Sequence, residues 1–390
     1  MNHSIINKGL RGVTVASTKI SDVDGRAGKL IYRGYRIQDL AERTSFEEVA
    51  YLLVFEKLPD QKELEGFAAR LKQERNIPDE IVEALKTRPA DSLPMDILQS
   101  SIPMLANYDS DIENHSLDAS VDRAVGLIAK FPTIIAAWQR IRSGKDIVPP
   151  SVELGHAANF LYMLKGETPD DDSQHFFDVG LVLHAEHSFN ASTFAAREVA
   201  STRAHMYAAV AAAVGSLSGE LHGGANVRVM QMLKRIGSTD NIQDYISREL
   251  DAGRVIFGLG HAVYKTDDPR ALILAPMAKI MCKKIGEPHW YDISKQLEEK
   301  SKVTFKQRKG IDIFLNVDFY SASLYYAMGI PTDLFTPVFA ISRIAGWTAH
   351  VLEEHFAGAA PKPALYRPES DYIGDYCGPE ECTFIPVDER

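Results

Sequence analysis

A chain of 390 residues, 45% apolar and 25% charged, has ordinary globular composition and room for one large domain and a smaller one. Its 43 Lys and Arg against 53 Asp and Glu leave a formal charge of −10, a field that repels nucleic acid and anionic substrates alike. An anionic substrate would therefore have to be held by a local cluster of arginines, and a nucleic-acid partner is not expected. The most conspicuous apolar stretch, residues 206–214, falls far short of a bilayer span, and the opening MNHSIINKGLRGV lacks the apolar core of a signal peptide. No membrane partner and a cytoplasmic location are the expectation.

In chain order, the predicted elements begin with strand. Residues 12–24 (GVTVASTKISDVD) with 29–32 make a small hairpin or short sheet. Ser45-Phe46-Glu47-Glu48 is a capping box, followed by apolar Val49, Tyr51, Leu52, Leu53 and Phe55 of a helix. Surface connections are expected over 87–116, at Pro149-Pro150, and in the Pro- and Gly-rich tail after Gly358. Thr168-Pro169 reads as N-cap and first helical residue, with Asp170 to Asp172 in the first turn where the dipole favours them. Residues 192–218 are rich in Ala with Ser and Gly interleaved. Small residues let helices approach closely, so this segment belongs to the core or to a subunit interface. Val229, Met230, Leu233 and Ile236 make an amphipathic helix closed by Gly237. Asp268-Pro269 opens another, which ends in Lys279, Lys283, Lys284 and then Gly286. A helix starting near Pro337 carries Arg343. Helical signals dominate and strands do not alternate with helices, so the chain reads as mainly helical and a doubly wound α/β fold is not expected.

Four segments concentrate histidine, glycine, arginine and one unusual aspartate: LHAEHSFNAST (183–193), GSLSGELHGGANV (215–227), GLGHAVYKTDDPR (258–270) and NVDFYSA (316–322). A fifth is FTPVFAISRIAGW (335–347). GLGH lacks the third glycine of a dinucleotide fingerprint, and GELHGGAN lacks the Lys-Ser/Thr of a P-loop. His184 and His187 flank Glu186 without the HExxH order of a zinc protease, and no third ligand is evident, so no metal is expected. Cys377 and Cys382 have four residues between them, which matches no zinc spacing, and together with Cys282 they read as free thiols.

His222 and His261 each follow a glycine-punctuated turn and are expected to precede a helix. The helix dipole disfavours a cation there, and a neutral imidazole can donate a hydrogen bond to a carbonyl oxygen that gathers charge. Asp318 lies between Phe314-Leu315-Asn316-Val317 and Phe319-Tyr320, where it is either a structural cap or a base made stronger by desolvation. A C–H beside a thioester is far less acidic than a carboxylic acid. Each unit of mismatch costs about 1.4 kcal/mol, so the carboxylate needs oxyanion donors, worth about 3–4 kcal/mol each. Arg270, Arg343 and Arg367 supply the anticipated anion site, because guanidinium forks match carboxylates.

Taken together, the five segments resemble the citrate synthase family, over most of the chain from GKLIYRGYRIQDLAERTSFEEVAYLL to LYRPESDYIG. The resemblance implies that His222 polarises a thioester carbonyl while Asp318 removes the methyl proton. It implies that His261 hydrogen-bonds and protonates the ketone of a 2-oxo acid held by His187, Arg270 and Arg343, with Phe339 packed on the substrates. Arg367, in YRPES, corresponds to the arginine that reaches into the partner's site of a homodimer. The backbone of Ile256, Phe257, Gly258, Leu259 and Gly260 is expected to line the coenzyme A site. The basic run Lys300, Lys302, Lys306, Arg308 and Lys309 meets its phosphates or is a solvated face. The arginine that some relatives use for coenzyme A gives way here to Tyr264-Lys265, leaving Lys265 as the candidate contact.

The implied fold has a large helical domain, 1–222 and 327–390, interrupted by a small one, 223–326, that closes over the substrates. Coenzyme A enters as the thioester co-substrate, with no permanently bound cofactor. Acetyl-CoA with oxaloacetate would give citrate, and propionyl-CoA would give 2-methylcitrate. One methylene is worth only about 1–3 kcal/mol of discrimination, so citrate is the weakly favoured product. A non-catalytic binding relative would have lost Asp318, His222 or His261, and all three are present.

Overall fold

The structure is a computed structural model that describes residues 8–10, 12–261, 263–374 and 382–390. Among the described residues three short strands lead into sixteen α-helices. The strands are β1 (Ser21–Asp24), β2 (Lys29–Tyr32) and β3 (Tyr35–Arg36). The helices of the first half are α1 (Ile37–Arg43), α2 (Phe46–Phe55), α3 (Gln61–Glu74), α4 (Asp79–Lys86), α5 (Pro94–Ala106), α6 (Leu117–Arg142), α7 (His156–Lys165) and α8 (Asp171–His184). Then come α9 (Ala191–Ser201), α10 (Met206–Ser218), α11 (Ala225–Ile236), α12 (Ile242–Asp251), α13 (Pro269–Lys284), α14 (His289–Lys309), α15 (Asp318–Ala327) and α16 (Phe335–His355). The chain is all-α with a minor sheet. None of the described helices is long and apolar enough to cross a membrane.

The centre is α16. Every residue from Phe335 through Glu354 is buried, the signature of a helix surrounded on all sides. Helices α2, α6, α8, α9 and α10 pack around it. Several of its polar groups are satisfied by neighbours, as where Ser342 donates to the Leu181 carbonyl. The Ala-rich segment forms α9 and α10, which lie tightly on one another through Ala196, Ala200, Ala209 and Ala213, all buried. A second set packs mainly within itself, α13 and α11 on α15, and α12 on α14.

Local signals hold at several helix starts. Ser45 Oγ accepts the Glu48 N–H at 3.3 Å while the Glu48 carboxylate accepts the Ser45 N–H at 2.7 Å, the reciprocal capping box. Asp268 caps α13 with Pro269 in its first turn, and Gly237 ends α11 in a left-handed conformation at φ 67°.

Four expectations are corrected. Asp170, not Thr168, caps α8, because its carboxylate accepts the free Ser173 N–H at 3.1 Å. The stretch 87–116 is no mere connection: it contains α5, whose Ile97, Leu98, Ile102 and Leu105 are buried. Pro94 sits at the first helical turn, where no N–H is needed. Strand is confined to 21–24 of the 12–24 segment, paired antiparallel with β2 as Ser21↔Tyr32 to Asp24↔Lys29, and β2 also pairs with β3. Finally, Cys282 is free and buried, its thiol pushed up to about 11 by burial, but Cys382 is disulfide-bonded. Cys382 reads as free where a reducing compartment is expected, and nothing in the residues themselves fixes that compartment. Cys377 lies outside the described residues.

Candidate active site

Residues from all five segments meet at one cavity of about 690 Å³. His187, His222, Gly260, His261, Arg270, Asp318, Phe339 and Arg343 line it, together with Asp22 and Val23 of β1.

His222 stands on the turn between α10 and α11. The next residue must be glycine, since a Cβ on Gly223 would lie 2.2 Å from the Leu217 carbonyl oxygen. The ring reaches across to the start of α9, where the Ser192 N–H donates to Nε2 at 3.2 Å and Ser192 Oγ lies 2.8 Å away. A backbone N–H can only donate, so Nε2 carries the lone pair and the proton sits on Nδ1. Burial and then the Arg343 charge push His222 down to about 4. The expected helix N-terminus is there, but it belongs to α9, brought in by tertiary folding, rather than to α11.

For His261 the expectation fails: α13 begins at Pro269, too far along the chain to act on it. Instead the N–H groups of Val263 and Tyr264 donate to its Nδ1 at 2.9 and 3.0 Å, leaving the proton on Nε2. Burial and Arg270 push it down to about 4. Both imidazoles are neutral at physiological pH, each presenting one assigned N–H.

Asp318 opens α15, its N–H donating to Asn316 Oδ1 at 3.1 Å. Burial raises its carboxyl to about 6 against the opposing pull of Arg270. A strip of backbone links it to His261. Asn316 N–H donates to the Gly258 carbonyl at 3.0 Å, and the Gly260 N–H to the Phe314 carbonyl at 2.7 Å. Asn316 Nδ2 reaches the Gly260 carbonyl at 3.1 Å.

Arg270 is gripped by Asp268, Nε to Oδ1 at 3.0 Å and Nη2 to Oδ2 at 2.7 Å, which fixes the fork and raises its pKa further despite burial. Arg343 donates Nε–H to the His184 carbonyl at 2.6 Å and lies over the Phe339 ring at 4.6 Å. Burial lowers it to about 10. His187 is pushed well down by burial and Arg270, and its Nε2 has no partner among the described residues.

Other expected residues are not brought to the cavity. Of the 256–260 run only Gly260 lines it. Gly258, at φ 82°, is pressed so close that a Cβ would meet Phe319 at 2.5 Å. Lys265 is exposed, its N–H bonded to the Gly25 carbonyl at 2.7 Å. Lys306 pairs with Asp312 at 2.9 Å, Arg308 with Asp251, and Lys302 with Asp267 at 2.7 Å. Arg367 is exposed, just past Tyr366, whose hydroxyl donates to Glu354 at 2.7 Å. Tyr264 turns inward, its ring 4.6 Å from that of His261. The positioning partners Ser192, Asp268 and Asn316 were not singled out for this role in the sequence. All three stand inside the motifs, but nothing local ties Ser192 to His222, 30 residues away.

A carboxylate that titrates near 6 beside two neutral N–H donors can move a proton from carbon and hold the resulting oxyanion, and two buried guanidiniums suit a dianionic partner. Comparison with known proteins identifies the family. The family described as "Citrate synthase, C-terminal domain" matches residues 9–369. The chain is 42% identical to the citrate synthase of Haloferax volcanii over 390 residues, 99% of each. It is 38% identical to the 2-methylcitrate synthase of Shewanella oneidensis, covering 94% of each. Its fold matches the solved ternary complex of citrate synthase from Thermoplasma acidophilum with carboxymethyl coenzyme A and oxaloacetate, at a TM-score of 0.89, 28% identity and 99% of each chain. With its motifs gathered at one cavity and its full length matched in sequence and fold, the chain belongs to the citrate synthase family, acyltransferases that convert the acyl group to an alkyl group as they transfer it.

Proposed function

We propose that this cavity condenses acetyl-CoA with oxaloacetate and hydrolyses the resulting citryl thioester to citrate and coenzyme A. The observation that carries the reading is Asp318, raised to about 6, sharing one cavity with His222 and His261. Asp318 takes a proton from the acetyl methyl group as Nδ1–H of His222 donates to the thioester oxygen. The enol carbon then attacks the ketone of oxaloacetate, whose oxygen receives the Nε2 proton of His261. Arg270, Arg343 and His187 hold the oxaloacetate oxygens, and Phe339 packs on the substrates. Water attacks the citryl thioester carbonyl and the thiolate leaves with a proton.

The self-contained packing of α11 to α15 supports a small domain over 223–326 that closes on the rest. Coenzyme A would lie along Ile256 to Gly260, with phosphates near Lys265, Lys306 and Arg308. The last two would have to exchange carboxylate partners for phosphate. Arg367 points the reading to a homodimer in which it serves the other subunit's site. The proposed setting is the cytoplasm.

The test is thiol release on mixing the protein with oxaloacetate and each thioester. We expect kcat/KM for acetyl-CoA to exceed that for propionyl-CoA. The reverse ratio would establish 2-methylcitrate as the product, a reading favoured by the Shewanella oneidensis relative. Release with neither thioester would leave a binding protein.

A further inference from the structure

The small N-terminal sheet supplies none of the reacting groups, yet it grips the segment that presents His187. Ser21 Oγ donates to Glu186 Oε1 at 2.9 Å and accepts the Ser188 N–H at 3.0 Å. A single hydroxyl thus holds the residues on both sides of His187. From the paired strand, the buried Tyr32 hydroxyl accepts the Glu186 N–H at 3.2 Å and donates toward the Glu186 carbonyl at 2.9 Å. The segment needs such a hold, because Ser188 is a non-glycine residue at φ 52°, a conformation that side chains disfavour unless the surroundings impose it.

Glu186 itself points to a purpose beyond stability. It is fully buried, with Oε1 accepting the His350 Nε2–H at 3.0 Å and Oε2 unpaired among the described residues. His350 is oriented in turn by Arg197, whose Nη1 donates to its Nδ1 at 3.0 Å. A buried charge with a spare oxygen is a poor means of stabilising a core, where apolar groups serve as well or better. It is a good means of fixing one loop in one conformation.

We propose that Ser21 and Tyr32 are positioning residues for His187, so that the N-terminal sheet sets the orientation of the imidazole that meets the 2-oxo acid. This rests on the reading of His187 as an oxaloacetate ligand. The experiment compares Ser21→Ala, Ser21→Thr, His187→Ala and the double variant Ser21→Ala/His187→Ala. Oxaloacetate affinity is measured by calorimetry, and KM and kcat by thiol release. Losing a bond at each flank should weaken oxaloacetate binding and raise its KM about tenfold. Saturated kcat and the KM for acetyl-CoA should stay within about twofold. Ser21→Thr, which keeps the hydroxyl, should restore affinity. In the His187→Ala background the Ser21→Ala effect should vanish, since the two act through one group.

Unchanged oxaloacetate affinity in a folded Ser21→Ala protein, or an equal loss with and without His187, would overturn the clamp. Should Ser21→Ala fail to fold, Tyr32→Phe carries the same cycle from the second strand, with the same two outcomes. A wild-type protein that binds no oxaloacetate would overturn the functional reading and the clamp with it. Binding by wild type with no difference in the variant removes the clamp alone.

Discussion

Desolvation makes Asp318 useful and costs the fold stability. Raised to about 6, the carboxyl is more basic than an exposed aspartate, so it is a better acceptor for a carbon-bound proton, yet it is still ionised at neutral pH. Because His222 and His261 remain neutral down to about 4, the acid limb of the rate profile reports Asp318 alone. We expect kcat/KM for acetyl-CoA to fall roughly tenfold per pH unit below 6 and to be level above it. A limb centred near 4 would remove Asp318 as the base. Asp318→Asn should lower kcat by about a thousandfold or more, while calorimetry shows oxaloacetate binding nearly intact, because the base acts on the other substrate. The same variant should melt higher than wild type at pH 8. A raised carboxyl pKa means that ionisation opposes folding, so the neutral amide removes a penalty present above about 6 and absent below about 4.

At the scale of elements, the chemistry depends on where short pieces of backbone are pinned. Residues 258–260 are laced to 314–316 by the Gly258, Gly260 and Asn316 bonds, which ties the loop of His261 to the helix of Asp318. Gly258→Ala tests this lacing. A methyl group there is strained at φ 82° and meets Phe319, the neighbour of Asp318. We expect a loss of about 1–3 kcal/mol in stability from the backbone alone, and a fall in kcat larger than the change in oxaloacetate affinity. Unfolding curves and thiol release separate the two. A variant with wild-type kcat would show that the strip is only scaffold.

For the whole molecule, burial of histidines governs behaviour in acid. His156 and His184 are held near 3, His222 and His261 near 4, and His187 well below its ordinary range, each chiefly by burial. A histidine whose folded pKa is depressed takes up its proton more readily when unfolded, so stability present above 6.5 is lost as pH falls toward 4. Asp318 and Asp178, both raised, act in the opposite sense but are fewer. The melting temperature should therefore drop between pH 6.5 and 4. A flat profile would show that these rings stay accessible. The assembly is tested through Arg367, exposed on its own subunit. Arg367→Ala should raise the KM for oxaloacetate in a dimer, as measured by kinetics with light scattering. Fully active monomers of the unaltered protein would exclude a contribution from the partner.

Much of this was legible in the residues, because some signals are local. A capping box at Ser45, a proline after Asp268 and a glycine after Ile236 act over one turn and need no partner, so those boundaries could be read directly. Motif residues such as His222, Asp318 and Arg343 were likewise nameable, and the excess of acid over base directed attention to the arginines, of which Arg270 and Arg343 are buried at the cavity. What could not be read are effects set by distant neighbours. Helix α5 reads as a surface connection in the sequence, because only packing shows that Ile97, Leu98, Ile102 and Leu105 are buried. The neutral states of His222 and His261 were expected from helix dipoles and come chiefly from burial, with Arg343 and Arg270 adding to it. Tautomers, pKa values and the grip of Ser21 on the His187 segment depend on chains that meet after folding, and sequence spacing carries no record of those meetings.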